Sequence, residues 1–214
     1  MERIIFILEL IGVFAFSVSG AMAALDKNAD IFGVIVLSIT TALGGGVIRD
    51  ILLGQLPPKM FVSYAYLLTA ALASVAVFAD AYVRKEKYVR NKDKLDAVNN
   101  LFDALGLAVF TVSGMNTAIT CTGADNALLV ILLGMVTGIG GGMLRDVMTN
   151  TMPQVLRKRV YAVASLAGAV VYYLLFRLNV NGLIAACAGM VSIFALRVLA
   201  TVFKWNLPKA ELNS

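Results

Sequence analysis

The sequence predicts an all-α integral membrane protein. Seven transmembrane helices form two inverted three-helix repeats plus a seventh helix, with spans 2 and 5 kinked at a triple glycine. Three observations predict this. The 214 residues are 60% hydrophobic and 14% charged, with a mean hydropathy of +0.85; soluble domains run nearer half apolar and a quarter charged. Seven apolar segments approach the roughly 20 residues that cross a hydrocarbon core. The stretch GGGVIRDILLGQLPP, Gly44 to Pro58, returns ninety-six residues later as GGGMLRDVMTNTMP, Gly140 to Pro153.

In chain order the expected spans are Ile4–Leu25, Ile31–Leu53, Met60–Ala79, Leu101–Ile119, Ala127–Met148, Val160–Phe176 and Gly182–Phe203. The first lacks a basic leader and an Ala-x-Ala cleavage site, so it reads as a mature span and not a signal peptide. The second and fifth close at Pro57 and Pro58 and at Pro153, because proline cannot continue a helix. The fourth begins earlier than its apolar part, as an amphipathic extension through Asp96. The sixth is the shortest. The run RKEKYVRNKDK, Arg84 to Lys94, is the long charged segment. It reads as a solvated connector touching anionic lipid. The expected division is residues 1–80 for the first repeat, 81–100 for the linker and start of span 4, 101–176 for the second repeat, and 177–214 for the seventh helix and tail.

Loop charge sets orientation. One side carries Lys27, Arg84, Lys85, Lys87, Arg90, Lys92, Lys94, Arg157, Lys158, Arg159, Lys204 and Lys209; the other carries Arg3, Lys59 and Arg177. This bias puts the N-terminus outside and the C-terminus in the cytoplasm of a cell inner membrane. The net charge of +5 then reflects basic loops, and no nucleic-acid partner is expected. There is no histidine, and Cys121 and Cys187 stand in no metal or redox motif. No cofactor and no enzymatic nucleophile with its base are expected.

The repeat is legible residue by residue. At an offset of ninety-four, Gly12, Phe16, Val18, Ser19 and Gly20 match Gly106, Phe110, Val112, Ser113 and Gly114, and Glu9 matches Asp103. At ninety-six, Thr41, Gly44, Gly45, Gly46, Arg49, Asp50 and Pro57 match Thr137, Gly140, Gly141, Gly142, Arg145, Asp146 and Pro153. Each copy holds three spans, an odd number, so the second enters the membrane from the opposite side. Such inverted repeats place their site near the midplane, in discontinuous helices.

A glycine costs about 1 kcal/mol relative to alanine inside a helix. Three in a row therefore predict a break at Gly44–Gly46 and at Gly140–Gly142. Broken backbone at membrane depth must face protein or water, and bare carbonyls suit a dehydrating potassium ion. The competing reading is close helix packing, supported by the spacing of Gly134, Gly138 and Gly142.

Intramembrane charges mark ion pathways or internal pairs. Glu9, Arg49, Asp50, Asp103, Arg145 and Asp146 are the candidates. Adjacent helical residues do not face each other, so Arg49–Asp50 and Arg145–Asp146 are expected to be poor self-pairs. Depth along the helices, at 1.5 Å per residue, instead predicts Glu9 with Arg49 and Asp103 with Arg145. Ser17, Ser19, Thr111 and Ser113 could add hydroxyl oxygens or bond their own helices.

GGGxxRD in spans 2 and 5, followed by proline, in a seven-span chain with two three-span repeats, resembles the bacterial members of the trimeric intracellular cation channel (TRIC) family. The resemblance covers essentially the whole chain. It implies a homotrimer in membrane lipid, with a separate pore through each protomer for monovalent cations, potassium or sodium and chiefly potassium. The implied pore residues are Gly44, Gly45, Gly46, Arg49, Asp50, Gly140, Gly141, Gly142, Arg145 and Asp146, with Glu9 and Asp103 as charge partners. The basic lipid-binding motif that eukaryotic members carry on span 4 has no match, since Asp103 to Thr120 contains no Lys or Arg. The same bacterial domain is also labelled a glycine transporter. Broken inverted-repeat helices suit a small zwitterion too, because half-helix N-termini hold a carboxylate.

Overall fold

The computed structural model describes residues 2–157 and 160–205. Lys158, Arg159 and Lys209, counted above among the cytoplasmic cations, lie outside them. The first half comprises α1 (Glu2–Asp26), α2 (Ile31–Leu52), α3 (Lys59–Val62) and α4 (Tyr64–Val83). A short α5 (Lys85–Arg90) leads into α6 (Lys92–Thr122). The second half continues with α7 (Ala127–Met148), α8 (Gln154–Arg157) and α9 (Val160–Arg177), and α10 (Gly182–Val202) ends the described chain. Seven of these helices are long and apolar enough to cross a membrane: α1, α2, α4, α6, α7, α9 and α10. The 31-residue α6 carries the expected amphipathic extension, and α9 is the shortest of the seven.

Both halves use the same local devices to start and stop their second helix. Asp30 accepts from the Gly33 amide at 2.7 Å, and Asn126 accepts from the Leu129 amide at 3.0 Å; each satisfies an otherwise orphaned helix N-terminal donor. At the far end, Gly54 (φ +67°) and Asn150 (φ +51°) take the left-handed conformation that ends the helix. The amides of Gln55 and Thr151 then bond back to the carbonyls of Asp50 and Asp146, at 2.8 and 2.9 Å.

The core is a four-helix arrangement of α1, α2, α6 and α7, in which each helix crosses its own counterpart. Phe16 of α1 stacks on Phe110 of α6 with ring centroids 5.4 Å apart. A Cβ on Gly12 would meet the Phe110 ring at 3.2 Å, and one on Gly106 would fall on the Phe16 ring. The rings of each half thus occupy the glycine hollows of the other. α4 packs on α1 and α2, whereas α9 packs on α7 and α10, and α10 also packs on α6. The seventh helix therefore breaks the symmetry, lying beside the second repeat.

Large apolar side chains on the outside face away from this core, among them Phe32, Leu68, Leu72 and Val191. The buried positions are rich in Ala, Gly, Ser and Thr. This distribution suits a membrane, where lipid solvates the outer Leu and Val and small residues let backbones approach.

The expected break at the glycines is not there. α2 and α7 each run through GGG as one continuous helix. The reason is contact between the two helices. A Cβ on Gly45 would fall on the carbonyl oxygen of Thr137, and a Cβ on Gly141 would fall on that of Thr41. Gly140, if given a Cβ, would place it 3.2 Å from the Gly45 Cα. The loss of helix propensity is offset by backbone-to-backbone packing that any side chain would prevent.

Two charge clusters built from both halves

Every intramembrane charge predicted from sequence is buried: Glu9, Arg49, Asp50, Asp103, Arg145 and Asp146 are each at most 6% exposed. They gather into two clusters, one at the end of α2 and one at the end of α7.

In the first cluster, Arg49 Nε donates to Asp50 Oδ1 at 2.8 Å, and Nη2 lies 2.8 Å from the same oxygen. Asp50 Oδ2 accepts from the Lys59 amide at 2.9 Å, which tethers the start of α3. Glu9 does not pair with Arg49. It takes Lys59 Nζ at 3.0 Å, the Tyr66 hydroxyl, and the Ser113 hydroxyl at 2.6 Å.

The second cluster repeats this plan. Arg145 Nε donates to Asp146 Oδ1 at 2.9 Å, and Asp146 Oδ2 accepts from the Gln154 amide at 2.7 Å. Here the predicted pair is present: Arg145 Nη1 lies 2.8 Å from Asp103 Oδ1. The same nitrogen donates to Ser19 at 2.5 Å. Tyr161 donates to Asp103 at 3.4 Å. Arg197 of α10 reaches Asp103 Oδ2 at 3.3 Å, with its guanidinium 4.5 Å from the centre of the Tyr161 ring.

Two expectations are corrected. The adjacent Arg-Asp residues do pair, in both halves. Helical spacing sets where Cβ atoms point, but the long arginine arm folds back alongside its own helix to the neighbouring carboxylate. That carboxylate is held in place by the amide of the short helix beyond the loop. Secondly, depth alone does not select Arg49 for Glu9, because Lys59 enters from the loop end and takes the carboxylate first. Arg49 Nη1 is left without a hydrogen-bond partner among the described residues.

The serines are exchanged between the halves. Ser113 of the second repeat completes the first cluster, and its counterpart Ser19 completes the second. Of the other hydroxyls considered, Thr111 bonds Ser165 at 2.9 Å.

Sequence reasoning gave Lys59, Tyr66, Tyr161 and Arg197 no role at the clusters. The tyrosines carried a readable signal, since Tyr66 and Tyr161 lie ninety-five residues apart. The equivalent amide bonds of Lys59 and Gln154 show the cause. The second loop is one residue shorter, so Pro153 corresponds to Pro58 and not to Pro57. Arg197 has no counterpart, because α10 lies outside the repeat.

Comparison with known proteins fits this doubled plan. A family model described as "Glycine transporter" matches the chain twice, over residues 6–81 and 100–177. A UPF0126 membrane protein from Deinococcus radiodurans is 43% identical over 170 residues, covering 78% of this chain and 74% of its own. A solved structure concerned with conductance through TRIC cation channels is 36% identical, with a TM-score of 0.83, covering 97% of this chain and 98% of its own. The chain belongs to the TRIC family. The TRIC orthologue from Rhodobacter sphaeroides, described as a trimeric intracellular cation channel, superposes with a TM-score of 0.84 at 30% identity, covering 94% of this chain and 99% of its own. In this TRIC member the GGGxxRD motif does two jobs: the glycines let α2 and α7 touch, and the Arg-Asp pair ties each helix end to the loop that follows.

Proposed function

We propose that the chain is a channel for monovalent cations, potassium foremost, assembled as a homotrimer with one conduit in each protomer. The observation that carries this reading is the likeness to the TRIC cation-channel structure, which extends over 97% of the chain at 36% identity. The conduit crosses the membrane between the two repeats, at right angles to the pseudo-twofold axis that relates them, which lies in the membrane plane. It passes Gly44, Gly45, Gly46, Gly140, Gly141 and Gly142, and is narrowest where the α2 and α7 backbones touch, at Gly45, Gly140 and Gly141. Arg49 with Asp50 and Arg145 with Asp146 set the field at its two ends, and Glu9 and Asp103 complete each end. The protein lies in the cytoplasmic membrane with its N-terminus outside, and the Arg84–Lys94 segment rests on anionic lipid headgroups.

The family model's description supports a second reading, transport of glycine. Potassium efflux from liposomes carrying the purified protein, with a valinomycin control and glycine as competitor, decides between them. Efflux indifferent to glycine is expected. Saturable glycine uptake without potassium efflux overturns the channel reading.

A further inference from the structure

The two clusters share a plan but are balanced by different cations. Glu9 and Asp50 face Arg49 and Lys59; Asp103 and Asp146 face Arg145 and Arg197. Each group sums to zero. In the second cluster the balancing charge is fixed. Arg197 is 2% exposed and lies against the Tyr161 ring. In the first cluster it is not. The Lys59 side chain is 52% exposed, and its ammonium has one partner among the described residues, Glu9 Oε2. A lysine is a compact charge on a flexible four-carbon stem, and half of this one already lies outside the protein.

When the ammonium swings away, Glu9 is left as a buried carboxylate without its balancing charge. Such a group demands another cation. What surrounds it is oxygen: its own carboxylate and the hydroxyls of Tyr66 and Ser113, which donate to Glu9 and keep lone pairs free. Oxygen ligands around a single net negative charge suit a hard monovalent ion that sheds part of its water. A divalent ion would leave the cluster overcharged beside buried Arg49.

We propose that Glu9, with the hydroxyls of Tyr66 and Ser113, is a binding seat for a monovalent cation, held in this structure by the tethered ammonium of Lys59. The seat rests on the cation-channel reading and names the carboxylate that meets the ion. Asp103, its repeat counterpart, does not act this way, because two buried guanidinium groups hold it.

The test is the unfolding temperature of the purified full-length protein in potassium chloride and in N-methyl-D-glucamine chloride at equal ionic strength. Lys59→Met should unfold about 2–4 °C higher in potassium, the shift that about 1 kcal/mol of ligand linkage gives a chain of this length. Wild type and Lys59→Arg should show a much smaller difference, and Glu9→Gln/Lys59→Met none. Equal unfolding temperatures for Lys59→Met in the two salts overturn the seat. If Lys59→Met is recovered folded in potassium but not in N-methyl-D-glucamine, the seat is supported. If it folds in neither while Glu9→Gln/Lys59→Met folds, potassium does not replace the ammonium and the seat falls. Liposome flux of the wild type separates the two ideas. Efflux with a salt-insensitive Lys59→Met leaves the channel and removes the seat; potassium-dependent stabilisation without efflux removes the channel and leaves an ion-binding site.

Discussion

The Ser113 hydroxyl donates to Glu9 at 2.6 Å across the two halves of the chain, while Ser19, its repeat counterpart, accepts from Arg145 at 2.5 Å. One serine serves an acid and the other a base, yet each completes the cluster of the opposite repeat. Hydrogen bonds to charged groups contribute about 1.5–3 kcal/mol in water-soluble proteins and about 0.6–1.7 between membrane helices. Ser113→Ala and Ser19→Ala should each lower stability by about 1–2 kcal/mol, read from the unfolding midpoint in detergent. Because the two clusters share no partner, the double variant should lose the sum of the two effects. A clearly smaller loss would mean that the clusters are coupled.

Gly45 and Gly141 are the positions least able to accept a side chain, since each Cβ would land on a backbone carbonyl of the facing helix. Alanine at either should cost about 1–3 kcal/mol, the usual range for overpacking. Gly54 provides the contrast. It is left-handed, with nothing within 4 Å of the added Cβ, and its counterpart is Asn150. Gly54→Asn should therefore melt within about 0.5 kcal/mol of wild type, as surface substitutions do. Equal losses at Gly45 and Gly54 would count against the helix-crossing account.

Asp50 and Asp146 each hold an arginine and a loop amide at once. Asp50→Ala leaves Arg49 buried without its ionic partner, a change that costs about 3–5 kcal/mol. Replacing both partners, as in Arg49→Met/Asp50→Leu, should cost less than Asp50→Ala alone, because no uncompensated charge remains. Protein yield and thermal midpoint in detergent measure the order. If the double variant proves the less stable, the pair contributes net stability beyond compensating its own burial.

Arg197 should resist replacement by lysine. Its planar guanidinium both lies against the Tyr161 ring and reaches Asp103, a combination an ammonium does not reproduce. Arg197→Lys should recover less than half of the stability lost in Arg197→Met. Full recovery would show that charge alone matters at that position.

The seven spans, the repeat and the identity of every buried charge but Arg197 were legible because each follows from run length, residue type or spacing along the sequence. The partners of Glu9 were not. Lys59 looks like an ordinary loop cation, and only the fold of the loop, tied down by Asp50, brings it back onto a carboxylate fifty residues earlier. The glycines were noticed, but the break expected at them is a helix-to-helix contact instead. Sequence reports that a helix is weakened at GGG, not that a second helix lies against it. The competing small-residue reading named Gly134, Gly138 and Gly142; the crossing also needed Gly45 opposite the Thr137 carbonyl, a relation that spans ninety-two residues. Arg197 gave no pattern to follow, because nothing in the first half repeats it.

The exchanged serines also impose an order in time. The chain is made from its N-terminus, so Ser19 is in place before Arg145 is synthesised, and the second cluster can close as α7 arrives. Glu9 is the first buried charge to be made, and it waits for Ser113 until α6 has been inserted. Through that interval Lys59 and Tyr66, both supplied by the first half, are the partners that keep an unfinished acid from facing lipid alone.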